Sequence, residues 1–175
     1  MTKLLCNEGD VVATEDPAFL GALNSYRSFN IKLVGVELEP DGVNLVALEA
    51  VLSANPKPKF YYTIPNFQNP TGVTTSLAKR KAVYALCVKH GVPILEDNPY
   101  GELRITGEDL PPINSFDTER AVGYAASLGK ILAPGMRVPL CMGANELPGK
   151  TVVGTQGDAA APAVIHTCTP PPLAP

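Results

Sequence analysis

The sequence predicts an α/β fold in which a mostly parallel sheet is flanked by helices. Strand-like and helix-like segments alternate from Asp10 to Ala126, the pattern of a chain that returns repeatedly to one sheet. Continuous apolar runs such as Val11-Val12-Ala13 read as buried strands. The polar motifs fall just past the predicted strand ends, where open α/β sheets bind ligands.

Met1 to Leu5 read as the end of a helix, and Asn7-Glu8-Gly9-Asp10 as a turn. Val11-Val12-Ala13-Thr14 is the first predicted strand, stopped by Glu15-Asp16-Pro17. Phe19, Leu20, Leu23 and Tyr26 recur at helical spacing and predict a helix over residues 18–29. Lys32 to Glu37 is the next strand and Asp41-Gly42 a turn. Leu45, Leu48, Val51 and Leu52 mark a short helix that stops before Asn55-Pro56. Phe60-Tyr61-Tyr62-Thr63-Ile64 favours a strand, and a polar loop from Pro65 to Gly72 follows. Thr75 or Ser76 can cap the next helix, which carries Leu77, Val83, Tyr84, Leu86, Cys87 and Val88 and ends at His90-Gly91. Val92 to Leu95 forms a strand delivering Glu96 and Asp97, and Ala121 to Ala126 forms another delivering Ser127. Residues 101–119 are weakly patterned and read as loops, with a short strand at Leu103 to Ile105.

The chain of 175 residues has 45% apolar and 18% charged residues, a globular composition. A net charge of −3 argues against a nucleic-acid partner. No apolar run approaches the roughly 20 residues that span a bilayer, and the first residues lack the apolar core of a signal peptide. Cys6, Cys87, Cys141 and Cys168 form no CxxC pair, so neither a disulfide framework nor a metal site is expected and a cytoplasmic location fits. His90 and His166 form no constellation with a nucleophile; His90 is expected only to meet the last carbonyls of its helix. No GxGxxG or GxxxxGK[ST] stretch occurs. The ordered domain is expected over residues 1–158. Residues 159–175, with Pro170-Pro171-Pro172, read as a disordered or aberrant tail.

The chemistry is concentrated in three motifs: Asn66-Phe67-Gln68-Asn69-Pro70-Thr71-Gly72, Leu95-Glu96-Asp97-Asn98-Pro99-Tyr100, and Ser127-Leu128-Gly129-Lys130 followed by Leu132-Ala133-Pro134-Gly135-Met136-Arg137. Lys130 is an amine among small residues; a buried or electropositive setting would free it to attack an aldehyde. Asp97 suits a protonated ring nitrogen, although it equally suits a cap on the Asn98-Pro99 turn. Glu96 competes for the same role, but adjacent strand residues face opposite ways, so only one of the two can enter the site. Asn69 and Tyr100 can hold a phenolic oxygen, Ser127 and Arg137 a phosphate, and Phe19 can stack on a ring or belong to the core. An amine, a carboxylate, an amide, a phenol and a guanidinium are together the parts that hold pyridoxal 5'-phosphate, whose ring acts as an electron sink.

In order and spacing, 28 positions from Asn69 to Asp97 and 33 from Asp97 to Lys130, these motifs closely resemble fold-type I pyridoxal-phosphate enzymes. The match is to the class I/II aminotransferases, in particular the 2-aminoadipate aminotransferase-like and MocR-like branch, and covers residues 4–158. The resemblance implies that Lys130 forms the Schiff base and shuttles the substrate's proton. It assigns Asp97 to the pyridine nitrogen, Asn69 and Tyr100 to the phenolic oxygen, Ser127 and Arg137 to the phosphate, and Phe19 to the ring face. It implies amino-group transfer from an amino acid to a 2-oxo acid, in a homodimer. Relatives in that branch also include sensor modules, and other fold-type I enzymes (lyases, decarboxylases) share the cofactor residues.

The pattern departs at Gly129, where a second hydroxyl is usual, and at Val138-Pro139, where a proline enters a strand. The resemblance further implies that a phosphate-binding turn lies ahead of residue 1 and a small domain beyond residue 158. This chain is thus expected to be the central large-domain portion of such an enzyme.

Overall fold

The computed structural model describes residues 5–127, 130 and 139–142. Strands β1 (Val11–Asp16), β2 (Lys32–Glu39), β3 (Gly42–Val43), β4 (Tyr61–Thr63), β5 (Ile94–Asp97), β6 (Val122–Ser127) and β7 (Pro139–Met142) form one sheet in the order β3-β2-β1-β4-β5-β6-β7. The five strands from β2 to β6 in that order run parallel, and β3 and β7 pair antiparallel to them. Helices α1 (Leu20–Ser28), α2 (Leu45–Leu52) and α3 (Leu77–His90) connect the strands. The expected α/β architecture is present.

Alternation along the central strands sorts their side chains between two cores. Ala13, Tyr61, Ile94 and Val122 face one side, with Leu48 and Leu52 of α2 and Val83 and Cys87 of α3. Val12, Tyr62 and Leu95 face the other, with Tyr26 of α1, Phe60 and Ile64. There the Tyr26 ring meets Phe60 and Tyr62 edge-on, at centroid distances of 5.8 and 5.9 Å.

Local chemistry sets the helix ends. Asn44 caps α2 by accepting from the Ala47 N–H at 2.9 Å, and Ser76 caps α3 by accepting from the Lys79 N–H at 3.3 Å. Gly91 closes α3 in the left-handed conformation at φ 63°. The carbonyl of His90 accepts from Lys57 Nζ at 2.7 Å, while the His90 ring lies 3.6 Å from Glu49. That ring therefore faces an acid on α2 and not the helix-end carbonyls.

Two other expectations need correction or relocation. The segment Leu103 to Ile105 is not a strand: Gly101–Leu103 is a 3-10 turn and a second covers Ile113–Phe116. Pro139 opens β7 at the edge of the described sheet, opposite Ser127. A missing N–H is tolerated at the first residue of an edge strand. Gly129, Arg137, the start of the expected first helix, the boundary at residue 158 and the tail 159–175 lie outside the described residues.

Candidate active site

The parallel strands β1, β4, β5 and β6 all end at the same edge of the sheet, and each is followed by a residue singled out above. Phe19 follows β1, Asn69 follows β4, Asp97 ends β5 with Tyr100 behind it, and Ser127 ends β6 with Lys130 three positions on. Residues as far apart in the chain as Phe19 and Lys130 are thus gathered by one topological rule.

Glu96 and Asp97 lie on opposite faces of β5 with different partners. Glu96 follows Ile94 onto the α2/α3 face, is fully buried, and accepts the N–H groups of Ile113 and Asn114, both at 2.9 Å. It is occupied in holding a loop. Asp97 follows Leu95 onto the other face, where Tyr62 donates to its Oδ2 at 2.7 Å. Burial raises the Asp97 carboxyl from its ordinary range, and the Tyr62 hydroxyl opposes that shift. A carboxylate deprived of water in this way gains most from a cationic partner. Burial and the Asp97 charge push the Tyr62 phenol far up, so it remains a donor.

Asn69 and Tyr100 are brought together: the Asn69 amide donates to the Tyr100 hydroxyl at 3.4 Å. Both line a cavity of about 350 Å³ whose other walls include Phe67, Pro70 and Leu103. Phe67 lies in the left-handed region at φ 48°, uncommon for a bulky residue. Its N–H meets Thr74 Oγ1 at 3.3 Å, and the Arg104 guanidinium covers its ring at 4.8 Å. A larger cavity of about 450 Å³, lined by Asn66, Asn98, Arg104 and Tyr124 among others, contains none of the expected cofactor residues.

Phe19 stands at the head of α1 and is 40% exposed. It is not among the buried core residues. Its ring folds over Gly21, where a Cβ would come within 2.5 Å of it. Lys130 is exposed and stands beyond the C-terminal end of β6. Arg137 lies outside the described residues.

Beneath these residues lies a buried polar scaffold with no counterpart in the sequence reading. Arg80 of α3 is fully buried. Its Nε donates to Thr75 O at 2.9 Å, Nη1 to Leu110 O at 3.3 Å and Pro111 O at 3.0 Å, and Nη2 to Pro65 O at 3.0 Å and Asn66 Oδ1 at 2.6 Å. Asn66 in turn donates to Asn98 Oδ1 at 2.9 Å, and Asn98 to the Tyr124 hydroxyl at 2.8 Å. One guanidinium therefore holds the loop carrying Asn69 and the loop after Tyr100 at once. Its signal in the sequence is weak but real: Arg80, Val83 and Cys87 share one face of α3 at i, i+3 and i+7, which places a charge on a buried stripe.

Among the described residues no helix is long and apolar enough to cross a membrane, and no group of three or more His, Cys, Asp or Glu is placed to hold a metal ion.

Comparison with known proteins identifies the family and the fold. The model of the family "Aminotransferase class I and II" matches residues 1–174. Aromatic-amino-acid aminotransferase 1 of Thermococcus litoralis is 40% identical over 140 residues, covering 78% of this chain and 34% of that protein. The 2-aminoadipate transaminase of Thermus thermophilus is 35% identical over 160 residues, covering 89% of this chain and 40% of that protein. The solved structure of LysN, an alpha-aminoadipate aminotransferase from Thermus thermophilus complexed with N-(5'-phosphopyridoxyl)-L-leucine, superposes with a TM-score of 0.86 at 34% identity, over 91% of this chain and 41% of that one. The chain thus spans about two-fifths or less of the length of these relatives.

Proposed function

The chain belongs to the aminotransferase class I and II family, and on that premise we propose that it forms the cofactor-holding part of a pyridoxal-phosphate-dependent aminotransferase. The observation that carries this reading is the convergence, at one sheet edge, of a half-buried carboxylate held by a phenol and an amide–phenol pair beside an open cavity.

The donor set suits the cofactor. Asp97 Oδ2 is engaged by Tyr62, and Oδ1 has no hydrogen bond among the described residues, which leaves an acceptor for a protonated ring nitrogen. Asn69 Nδ2 and the Tyr100 hydroxyl are two donors that can share one phenolate oxygen. Phe19 supplies an exposed ring for stacking. Ser127 and Arg137 are assigned to the phosphate by the motif in which they stand. When bound, the cofactor supplies the electron sink that makes a proton on the amino acid's Cα acidic. Lys130 would be the positioned base that takes up that proton and gives it back as an acid. Asp97 would hold the ring nitrogen in its protonated form. The substrates proposed are an amino acid and a 2-oxo acid, and the assembly proposed is a cytoplasmic homodimer.

The test is a titration of the full chain with pyridoxal phosphate, followed in the visible region. A saturable band that an added amino acid discharges and a 2-oxo acid restores is expected; soluble, folded protein without a band overturns the reading. In the same assay Asp97→Asn should slow discharge of the band by about 10²–10³-fold, the usual cost of deleting a group that stabilises developing charge. Stopped-flow mixing with an amino acid measures it, and an unchanged rate would remove Asp97 from the ring nitrogen.

A further inference from the structure

Glu15 is a buried acid that the reading above leaves without a role. It is 2% exposed, near the C-terminal end of β1. Every partner of its carboxylate is a donor: Thr63 Oγ1 at 2.5 Å, the Ile64 N–H at 3.2 and 3.3 Å from the two oxygens, and Gln68 Nε2 at 3.0 Å. Burial pushes its pKa up to about 7, against the pull of those donors, so the fold sustains an expensive group at this position.

Gln68 makes the position significant. Its Nε2 also donates to Pro17 O at 2.8 Å, two residues before Phe19. Its Oε1 accepts from the Thr71 N–H at 3.0 Å and the Thr71 hydroxyl at 2.6 Å, and its backbone carbonyl accepts from the Gly72 N–H at 2.5 Å. Asn69 and Pro70 lie inside that closed ring of bonds. A buried amide that makes both of its donor and both of its acceptor contacts has one orientation only.

We propose that Glu15 is a positioning residue: through Gln68 it ties the Pro17 segment leading to Phe19 to the loop that carries Asn69, and so aims the Asn69 amide at the cofactor ring. This rests on the proposed function for its consequence, though not for its geometry. Glu15→Met keeps much of the volume but removes both acceptor oxygens. Gln68 Nε2 then has no acceptor at this position, whereas an amide there could turn its NH2 to the Thr63 hydroxyl, which also accepts, and keep its oxygen on Gln68. Gln68 is then released, and the Asn69 amide loses its fixed aim.

Asn69 donating to the phenolic oxygen favours its anion. A misdirected Asn69 makes that oxygen more basic, and the pH midpoint of the bound cofactor's visible band should rise by about one unit, with about tenfold weaker cofactor binding, the worth of one charge-assisted hydrogen bond. Glu15→Met, Gln68→Met and the double variant are compared in the full chain. The double variant should be no worse than either single one, since both break the same link. An unchanged midpoint in Glu15→Met, or single effects that simply add, overturns the proposal. A general loss of packing would lower stability without moving the midpoint. Amide hydrogen exchange on the cofactor-free chain separates this inference from the function it rests on. Thr71 should exchange about tenfold faster in Glu15→Met. Unchanged exchange there overturns the clamp even where the parent shows its band, and faster exchange upholds the clamp where the parent shows none.

Discussion

Lys130→Ala should abolish covalent attachment of the cofactor and reduce amino-group transfer by at least about 10²–10⁴-fold, the range supplied by a positioned acid–base group. The expectation follows from where the residue stands. β5 and β6 are parallel neighbours, with Asp97 opposite Ala125, so the chain leaving β6 at Ser127 emerges beside the carboxylate proposed for the ring nitrogen. Lys130 comes three positions later and is exposed, reachable by an aldehyde from solvent. Several other described lysines are engaged elsewhere: Lys79 is paired with Glu39 and Asp41, Lys59 with Asp10, and Lys89 with Glu49. Borohydride treatment of the cofactor-loaded chain, followed by peptide mass analysis, should place the phosphopyridoxyl group on Lys130 in the parent and nowhere in the variant. Labelling of another lysine at parental yield would remove Lys130 from its role.

Arg80→Met should destabilise the chain by about 3–5 kcal/mol, the largest stability effect expected of a single substitution here. Methionine fills much of the same volume, so the loss is not chiefly one of packing. The cost comes from five acceptors, four of them backbone carbonyls, that each lose a donor; Thr75 O and Asn66 Oδ1 do so in buried bonds, Pro65 O keeps the Thr75 N–H, and the Leu110 and Pro111 carbonyls are only partly buried. Each unsatisfied buried acceptor costs on the order of 1–3 kcal/mol, reduced where the loops relax toward solvent. Arg80→Lys should recover only part of the loss, because one ammonium cannot reach acceptors spread around a planar fork. Urea unfolding measures both variants, and a loss under about 1 kcal/mol for Arg80→Met would show that the loops hold themselves. Because Arg80 grips Pro65, Asn66, Leu110 and Pro111 together, the variant should also loosen the loop carrying Asn69.

The elements legible in advance were those whose information is local. The helix over Leu77 to His90 is written in its Ser76 cap, its apolar stripe and its Gly91 stop, and the structure places it there. The strand at Tyr61–Thr63 and the turn chemistry of Asn69-Pro70 are equally local. Residues 101–119 were not legible, and the expected strand at Leu103 to Ile105 is a 3-10 turn followed by loop. That segment takes its shape from two distant buried charges: Glu96 holds the N–H groups of Ile113 and Asn114, and Arg80 holds the carbonyls of Leu110 and Pro111. No period within the segment encodes such anchors.

The candidate site divides along the same line. Residue types and their order along the chain were enough to single out Asn69, Asp97, Tyr100 and Lys130 and to name the cofactor they suit. Alternation required that Glu96 and Asp97 face opposite ways, but it took the packing of β5 between two cores to show which face each takes. Glu15, Tyr62, Gln68 and Arg80 became visible only in three dimensions, because their meaning lies in partners up to 53 positions away, as between Glu15 and Gln68. The sequence by itself determined which groups are present, how the strands and helices alternate, and at which end of the sheet the polar motifs emerge, since these depend on side-chain chemistry and short-range periodicity. The tertiary structure alone decided which carboxylate is spent on holding a loop and which meets the Tyr62 phenol on the opposite face, because hydrogen-bond partners across a sheet are a property of packing and not of spacing.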